Sequence, residues 1–221
     1  MVKITEEIFQ VGGGPLSSLE DAAIYLIGIG GHAALVDSGC GFATERLLAN
    51  IRKCKADPAR IELLLLTHCH FDHTGGAKRL KDTIGTLKIV AHELDAPFLE
   101  QGDNQVTAAD WYDTEITPFQ VDRKLTGPRE EILLGGRVIE ALHAPGHTPG
   151  SVVYLVESDG QKVLFAQDVH GPLHPSFLSN RDDYLKSLEM LLGLNADILC
   201  EGHYGVYRGE AVARFIRGFL D

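Results

Sequence analysis

The chain has 221 residues, of which 44% are hydrophobic and 23% are charged. These values are typical of globular proteins and exclude a disordered, collagen-like or fibrous chain. Its 20 basic and 31 acidic residues give a formal net charge of −11. This charge disfavours sequence-independent binding to phosphate backbones and argues against a nucleic-acid partner.

The first part of the chain predicts strands, then a helix that leads into a buried strand. Residues 2–11 alternate loosely between polar and apolar side chains and indicate one strand. Two more strands, over residues 22–27 and 33–36, flank a glycine-rich turn. Residues 43–53 carry apolar side chains at helical spacing, and residues 61–66 form the apolar run that is typical of a central strand.

The next part of the chain alternates between helix and strand. After a histidine-rich loop at residues 67–73, the pattern predicts a short helix over residues 74–82. A strand over residues 88–91 and a helix over residues 92–101 follow. The alternation stops there.

An aromatic segment occupies residues 102–128. It contains Trp111, Tyr112 and Phe119 between glycine and proline breakers, without a sustained period, and this indicates a partly helical insertion. Aromatic side chains in such a segment either pack in the core, which is their commoner use, or form the wall of a pocket.

The remainder of the chain returns to strands and ends in helices. Asn180 is the predicted N-cap of a helix that runs to about residue 192, and residues 209–220 form a last helix. No repeat or low-complexity linker divides the chain, so we expect residues 1–221 to form a single domain of mixed strands covered by helices. The predicted strands in this part are residues 132–134, 137–142, 151–156, 162–166 and 197–200.

No segment predicts export or membrane insertion. The first residues include Glu6 and Glu7 where a signal peptide has a basic start. The most apolar stretch, residues 22–36, is shorter than the roughly 18 residues that a membrane span needs. The four cysteines show no CxxC spacing and are expected to be free thiols in a reducing compartment. These features predict a cytoplasmic protein without a membrane partner.

The segment from Thr67 to His73 concentrates residues that bind metals. Directly after an apolar strand it places His68, His70, Asp72 and His73 within six positions. A neutral imidazole is a borderline ligand for zinc or iron, and a carboxylate is a harder one. The spacing suits two adjacent ions: His68 and His70 can face one ion while Asp72 and His73 face its neighbour.

Three further candidate ligands lie in turns that follow predicted strands. They are His147 in a Pro-Gly-His-Thr-Pro-Gly turn, Asp168 after an apolar strand, and His203 in a Gly-His-Tyr-Gly turn. Each residue alone would be interpreted as an ordinary loop residue. Together with the first cluster they complete two coordination shells.

This arrangement resembles the metallo-β-lactamase-fold metallohydrolases, whose signature is HxHxDH followed downstream by His, Asp and His. The resemblance covers nearly the whole chain. It implies an α+β fold, the αββα four-layer sandwich, in which two mixed β-sheets are flanked by helices and the metals lie at one edge between the sheets. It also implies that the first metal is bound by His68, His70 and His147, the second by Asp72, His73 and His203, and that Asp168 bridges both.

Other residues near these positions have two interpretations each. Asp37 matches an early aspartate that supports ligand histidines in this family, yet Asp-Ser-Gly is also common turn chemistry. His170 and His174 follow Asp168 closely and either face the substrate or belong to the surface. Cys69 lies between two ligands, and we expect its side chain to point away from the metals and to pack.

The resemblance implies a hydrolase in which a hydroxide bound to two metal ions cleaves a small ester, thioester or lactone. Zinc is the expected metal, with iron or manganese as alternatives. Asp72 is the expected catalytic residue, because it can orient the attacking water or accept its proton. The ligand set looks like that of glyoxalase II and the acyl-homoserine lactonases, whereas the lack of a cysteine beside Asp168 disfavours a β-lactamase.

Two other functions share these residues. The persulfide dioxygenases have this fold and motif but use one iron, whose ligands here would be His68 or His70, His147 and Asp168. A non-catalytic metal-dependent binding module would keep the ligands without turnover. In every case we expect a small-molecule partner, held in a pocket formed around residues 102–128 and 170–180. The sequence leaves the oligomeric state open.

Overall fold

The computed structural model describes residues 1–220, which form two mixed β-sheets packed face to face. In the first sheet, strands β1 to β4 pair antiparallel, and β4 to β7 pair parallel. Its seven strands lie side by side in chain order: β1 (Val2–Lys3), β2 (Ile8–Gly12), β3 (Ile24–Ile29), β4 (His32–Val36), β5 (Ile61–Leu65), β6 (Lys88–His92) and β7 (Arg123–Leu125).

The second sheet has six strands, in the spatial order β13-β12-β11-β10-β9-β8. Only β11 and β12 are parallel neighbours, because helix α5 connects them; the other pairs are antiparallel. The strands are β8 (Arg129–Leu134), β9 (Arg137–His143), β10 (Val152–Ser158), β11 (Gln161–Phe165), β12 (Ile198–Cys200) and β13 (Val206–Arg208), and α5 is Arg181–Gly193.

Helices cover the outer face of each sheet, which confirms the predicted αββα sandwich. Leu48 and Leu80 belong to an apolar cluster between helices and the first sheet. Leu188 and Ile216 belong to a cluster on the outside of the second sheet. The remaining helices are α1 (Thr44–Lys53), α2 (Phe71–Thr74), α3 (Ala77–Thr83), α4 (Ala96–Gln101) and α6 (Glu210–Arg217).

The central core lies between the two sheets. In β3, Tyr25 and Ile27 face this core, whereas Ile24 and Leu26 face the helices, so both faces of the strand are buried. This explains why the central strands have continuous apolar sequences instead of alternating ones. The Tyr25 hydroxyl donates a hydrogen bond to the carbonyl of Glu201 at 2.8 Å, across the two sheets.

Several predicted elements differ from the structure. Residues 2–11 form two strands because the chain turns at Ile4, whose N–H donates to the carbonyl of Ile8. The helix predicted over residues 92–101 begins at Ala96, with a proline in its first turn, and His92 ends β6 instead. The histidine-rich segment is not all loop, because Asp72 and His73 lie in α2.

Two strands were absent from the prediction. The three-residue strand β7 lies inside the predicted insertion and pairs with β6 at the sheet edge. Strand β13 is equally short and pairs with β12. Three residues are too few to show a period, so pairing with the neighbouring strand decides their conformation. Within residues 1–220 no helix combines the length and hydropathy needed to cross a bilayer.

Candidate metal centre

The candidate ligands come from loops at one edge of the sandwich. His68 and His70 follow β5, and Asp168 and His203 follow β11 and β12. His147 lies in the loop between β9 and β10. Because β4 and β5 are parallel neighbours, as are β11 and β12, their carboxyl ends meet at this edge and bring the distant segments together.

All seven predicted ligands converge in two groups. Within each group, all ligand atoms lie within 4.8 Å of one another. The first group is His68, His70, His147 and Asp168, and the second is Asp72, His73 and His203.

The Asp168 carboxylate lies between the groups. Its Oδ2 is 3.3 Å from His147 Nε2 and 3.7 Å from His68 Nε2. Its Oδ1 is 3.3 Å from His73 Nε2 and 3.4 Å from His203 Nε2. Each oxygen therefore faces one group, as a bridging ligand must. Asp168 has φ = 58°, a left-handed conformation that is uncommon outside glycine and is found at functional sites.

The donor set fits divalent ions. His68 Nε2, His73 Nε2 and Asp168 Oδ1 are buried, and none has a hydrogen-bond partner among residues 1–220. Buried polar atoms without a partner are rare because they cost free energy, and a metal ion would supply the partner for all three. Mixed imidazole and carboxylate donors suit zinc, iron or manganese. His147 Nδ1 donates to the carbonyl of Pro172 at 2.9 Å, which fixes the ring so that its Nε2 faces the site, where it lies 3.0 Å from His70 Nδ1.

The electrostatics of the site favour a cation. Burial, together with the neighbouring imidazoles, holds the pKa of His68 and His70 well below the usual range, so both rings are neutral and ready to ligate. Burial also opposes charge on His203, but the carboxylates of Asp168 and Asp72 outweigh it and raise the pKa of His203 to about 10. A divalent ion would replace such protons, so metal binding releases them.

Asp37 supports the ligands from beneath. It is fully buried, and its Oδ2 accepts hydrogen bonds from His73 Nδ1 at 2.7 Å and from Gln167 Nε2 at 2.8 Å. Both its oxygens also accept from Thr67, and the Thr67 hydroxyl lies 3.1 Å from His68 Nδ1. These contacts support the positioning interpretation of Asp37 over the ordinary turn.

Asp95 is a supporting residue that the sequence did not reveal. Its buried carboxylate accepts hydrogen bonds from the backbone N–H of Cys69 at 2.9 Å, from Thr148 Oγ1 at 2.7 Å and from the N–H of Gly150 at 2.7 Å. It therefore joins the His68 to His70 segment to the loop that carries His147. An aspartate just before a helix is ordinary capping chemistry, so its position gave no signal.

Glu201 was also missed. It is fully buried, and its Oε2 accepts from the N–H groups of His203 and Tyr204 at 2.7 and 2.8 Å. Its Oε1 lies 2.7 Å from His170 Nδ1. Glu201 therefore orders the turn that presents His203 and orients the neighbouring His170. Its position at the end of a short apolar strand resembled an ordinary strand end.

Of the remaining predicted residues, His170 lies in the site, whereas His174 lies at the surface and Cys69 in the core. The His170 ring lies 5.2 Å from that of His203, and the ligand atoms of His170, Asp168 and His203 all lie within 4.8 Å of one another. His174 is exposed and contacts the Trp111 ring edge-on instead. The Cys69 side chain is buried within the helix-covered cluster of the first sheet, as expected for packing.

A cavity of about 170 Å³ opens beside the ligands. Residues from both segments predicted to surround the pocket, 102–128 and 170–180, contribute to its lining. Its lining consists of His70, Asp72, Ala108, Trp111, Tyr112, Asp168, His170, Pro172, Phe177 and His203.

The tight packing at Gly202 gives a test of the ligand geometry. A Cβ at this position would lie 2.7 Å from Asp168 Oδ1 and 2.7 Å from Gln167 Oε1, closer than side-chain atoms approach. We expect Gly202→Ala to displace the Asp168 carboxylate and to lower the affinity for zinc by roughly 10- to 100-fold. Zinc titration against a competing chelator measures this. Gly85→Ala is the control, because a Cβ there meets nothing within 4 Å, and equal affinities in both variants would contradict the assignment.

Comparison with known proteins gives a family model and several relatives that resemble the chain. The sequence profile of the "Metallo-beta-lactamase superfamily" matches residues 19–203. The hydroxyacylglutathione hydrolase GloC of Haemophilus influenzae is 34% identical over 182 residues, which cover 80% of this chain and 81% of the relative. The human acyl-coenzyme A thioesterase MBLAC2 is 29% identical over 228 residues, covering 90% of this chain and 79% of the relative.

A solved structure shows the same fold. The subclass B3 metallo-β-lactamase BJP-1 of Bradyrhizobium japonicum superimposes with a TM-score of 0.78, covering 98% of this chain and 89% of that structure. The two sequences are 23% identical. At that identity the likeness concerns the fold alone.

Proposed function

Because the chain belongs to the metallo-β-lactamase superfamily, we propose that it is a hydrolase with two metal ions that cleaves a small acyl thioester, with esters and lactones as related substrates. The observation that carries the proposal is the Asp168 carboxylate, whose two oxygens each face the imidazoles of one group. Such a bridge suits two ions held side by side. The superfamily and the cluster of histidines and aspartates support a metallohydrolase.

The relatives favour a thioester among the candidate substrates. One is named an acyl-coenzyme A thioesterase and the other a hydroxyacylglutathione hydrolase, and both substrates are acyl derivatives of a thiol. A thiol has a pKa of about 8.5. It leaves as a thiolate near neutral pH, so the site needs no separate acid for the leaving group.

Two divalent ions would lower the pKa of a water molecule towards 7 and polarise the acyl carbonyl. The protein supplies the base and the rigid frame. Asp72 lines the cavity, and its Oδ2 is 3.2 Å from His203 Nε2 and 3.5 Å from His73 Nε2. In the proposed reaction Asp72 would orient the attacking water and accept its proton. Asp37 and Glu201 hold His73 and His203 in place, so little reorganisation accompanies the reaction.

The metal content and a substrate panel test the proposal. Protein expressed with both zinc and iron supplied should contain about two ions per chain, mainly zinc, by elemental mass spectrometry. It should release free thiol from acyl thioesters, and chelation should abolish that release. About one iron per chain would instead favour the persulfide dioxygenase. Bound metal without turnover of any thioester, ester or lactone would favour a binding module.

A further inference from the structure

The only tryptophan of the chain stands exposed beside the candidate metal centre. Trp111 lies in the short 3₁₀ turn Ala109–Tyr112 and is 57% exposed. Its indole contacts the Phe177 ring, with centroids 4.7 Å apart. Leaving so large an apolar side chain in water is unfavourable, and exposed apolar surface at a cavity marks a binding site.

Phe177 connects this indole to the ligands. Its ring is 1% exposed and lies 4.3 Å from the ring of His70, with the two in edge contact. A chain of ring contacts therefore runs from the candidate ligand His70 through the buried Phe177 to the solvent-facing Trp111. We call Trp111 and Phe177 the aromatic wall.

The position of Trp111 is fixed by the backbone around it. Ala108 and Asp113, which flank the turn, both have left-handed φ values, 58° and 50°. Ala109 is fully buried, and the neighbouring Tyr112 packs on Phe71 with centroids 5.6 Å apart. Non-glycine residues in this conformation cost free energy and persist only where the surroundings hold them. The indole is thus presented by an anchored turn.

The size and lining of the cavity describe what the wall would hold. Its volume is about 170 Å³, and a cavity of about 150 Å³ is known to hold benzene. Away from the candidate ligands, His170 and the Tyr112 hydroxyl, the lining is apolar or aromatic. No lysine or arginine lines the cavity in the described part of the chain, so no fixed cation would pair with a charged acyl chain.

We propose that the aromatic wall binds the acyl group of the substrate and selects a ring-sized, uncharged one such as phenylacetyl. This rests on the proposed function, since the ligands fix the place of the carbonyl. The acyl group then lies against the exposed indole of Trp111, which the buried Phe177 ring supports. An aromatic ring gains edge or offset contacts there that a two-carbon acyl group cannot make.

The kinetic test compares two thioesters of the same thiol. Trp111→Ala should lower kcat/KM for the phenylacetyl thioester by roughly 10- to 100-fold and change the acetyl thioester by less than about 3-fold. Trp111→Phe should restore most of the preference. Phe42→Ala is the matched control, because Phe42 is also 57% exposed but does not line the cavity. An unchanged ratio between the two thioesters in Trp111→Ala would overturn the proposal.

A binding measurement separates the wall from the chemistry. Because Trp111 is the only tryptophan, its fluorescence in the zinc-loaded protein should change saturably with phenylacetate and not with acetate. Calorimetry should show phenylacetate affinity lost in Trp111→Ala and kept in Phe42→Ala. If the wild type hydrolyses no thioester, the proposed function fails. The calorimetric comparison still tests whether the aromatic wall binds the ring. Equal phenylacetate affinity in wild type and Trp111→Ala refutes it.

Discussion

The Asp168→Ala variant is expected to lose both metal ions and nearly all hydrolytic activity. Asp168 is the residue whose oxygens face both groups of ligand atoms, so its removal affects both positions at once. The loss of a residue that merely supports a ligand costs roughly 10- to 100-fold in metal affinity. We expect the loss of this ligand to cost at least about 10³-fold in kcat/KM. Elemental mass spectrometry and thiol release measure the two effects.

Two further variants make the Asp168 result specific. Asp168→Asn keeps the shape and the tolerance for a left-handed backbone but removes one acceptor oxygen, so it should retain one ion better than the alanine variant does. Asp159 has φ = 53° and is exposed, remote from the ligands. Asp159→Ala therefore removes an aspartate of the same conformation without touching the site and should keep metal and activity. Full metal content in Asp168→Ala would refute the bridging assignment.

Asp37→Ala is expected to give the largest loss of stability. The substitution leaves four buried donors without their acceptor, among them Nδ1 of His73 and the amide of Gln167. Removing one partner of a buried pair costs about 3–5 kcal/mol, so the free energy of unfolding should fall by that amount. Urea unfolding in the presence of a chelator measures it without the contribution of bound metal.

Asp37→Asn separates stability from ligand support. The amide fills the same space and accepts the left-handed φ of 60° at this position, so it should recover much of the lost stability. It cannot accept all of the bonds now made to Oδ2, and His73 loses its carboxylate partner. Zinc affinity should therefore remain roughly 10- to 100-fold below that of the wild type. An unfolding midpoint of Asp37→Ala equal to the wild-type value would contradict this account.

The candidate ligands could be identified from the sequence because their chemistry is local. Four of them lie within positions 68–73, and the others follow apolar strands in turns. Asp95 could not be predicted in the same way, since its partners include Thr148 and Gly150, more than fifty positions away. Its contribution arises only after the loops meet. Glu201 could not be predicted for the same reason, because its partner His170 lies thirty-one positions earlier in the chain.

The aromatic insertion shows a second limit of the sequence. Residues 102–128 carry no period, so their composition indicates packing as the commoner use of the aromatic side chains and leaves a pocket wall as the alternative. The structure divides them: Phe119 is buried in the helix-covered cluster, while Trp111 faces the cavity. The turn that presents Trp111 is flanked by the left-handed residues Ala108 and Asp113. Alanine does not predict that conformation and aspartate adopts it only occasionally, whereas glycine adopts it readily.

The division of the ligands between the two sheets has a consequence beyond catalysis. His68, His70, Asp72 and His73 follow the first sheet, whereas His147, Asp168 and His203 extend from the second. Ions held by the proposed ligands would therefore clamp the sheets together, and separating the sheets would mean releasing the ions. A ligand that binds only the native state at a thousand times its Kd adds about 4.1 kcal/mol to stability. The concentration of available metal would thus affect the stability of the folded protein as well as its catalytic rate.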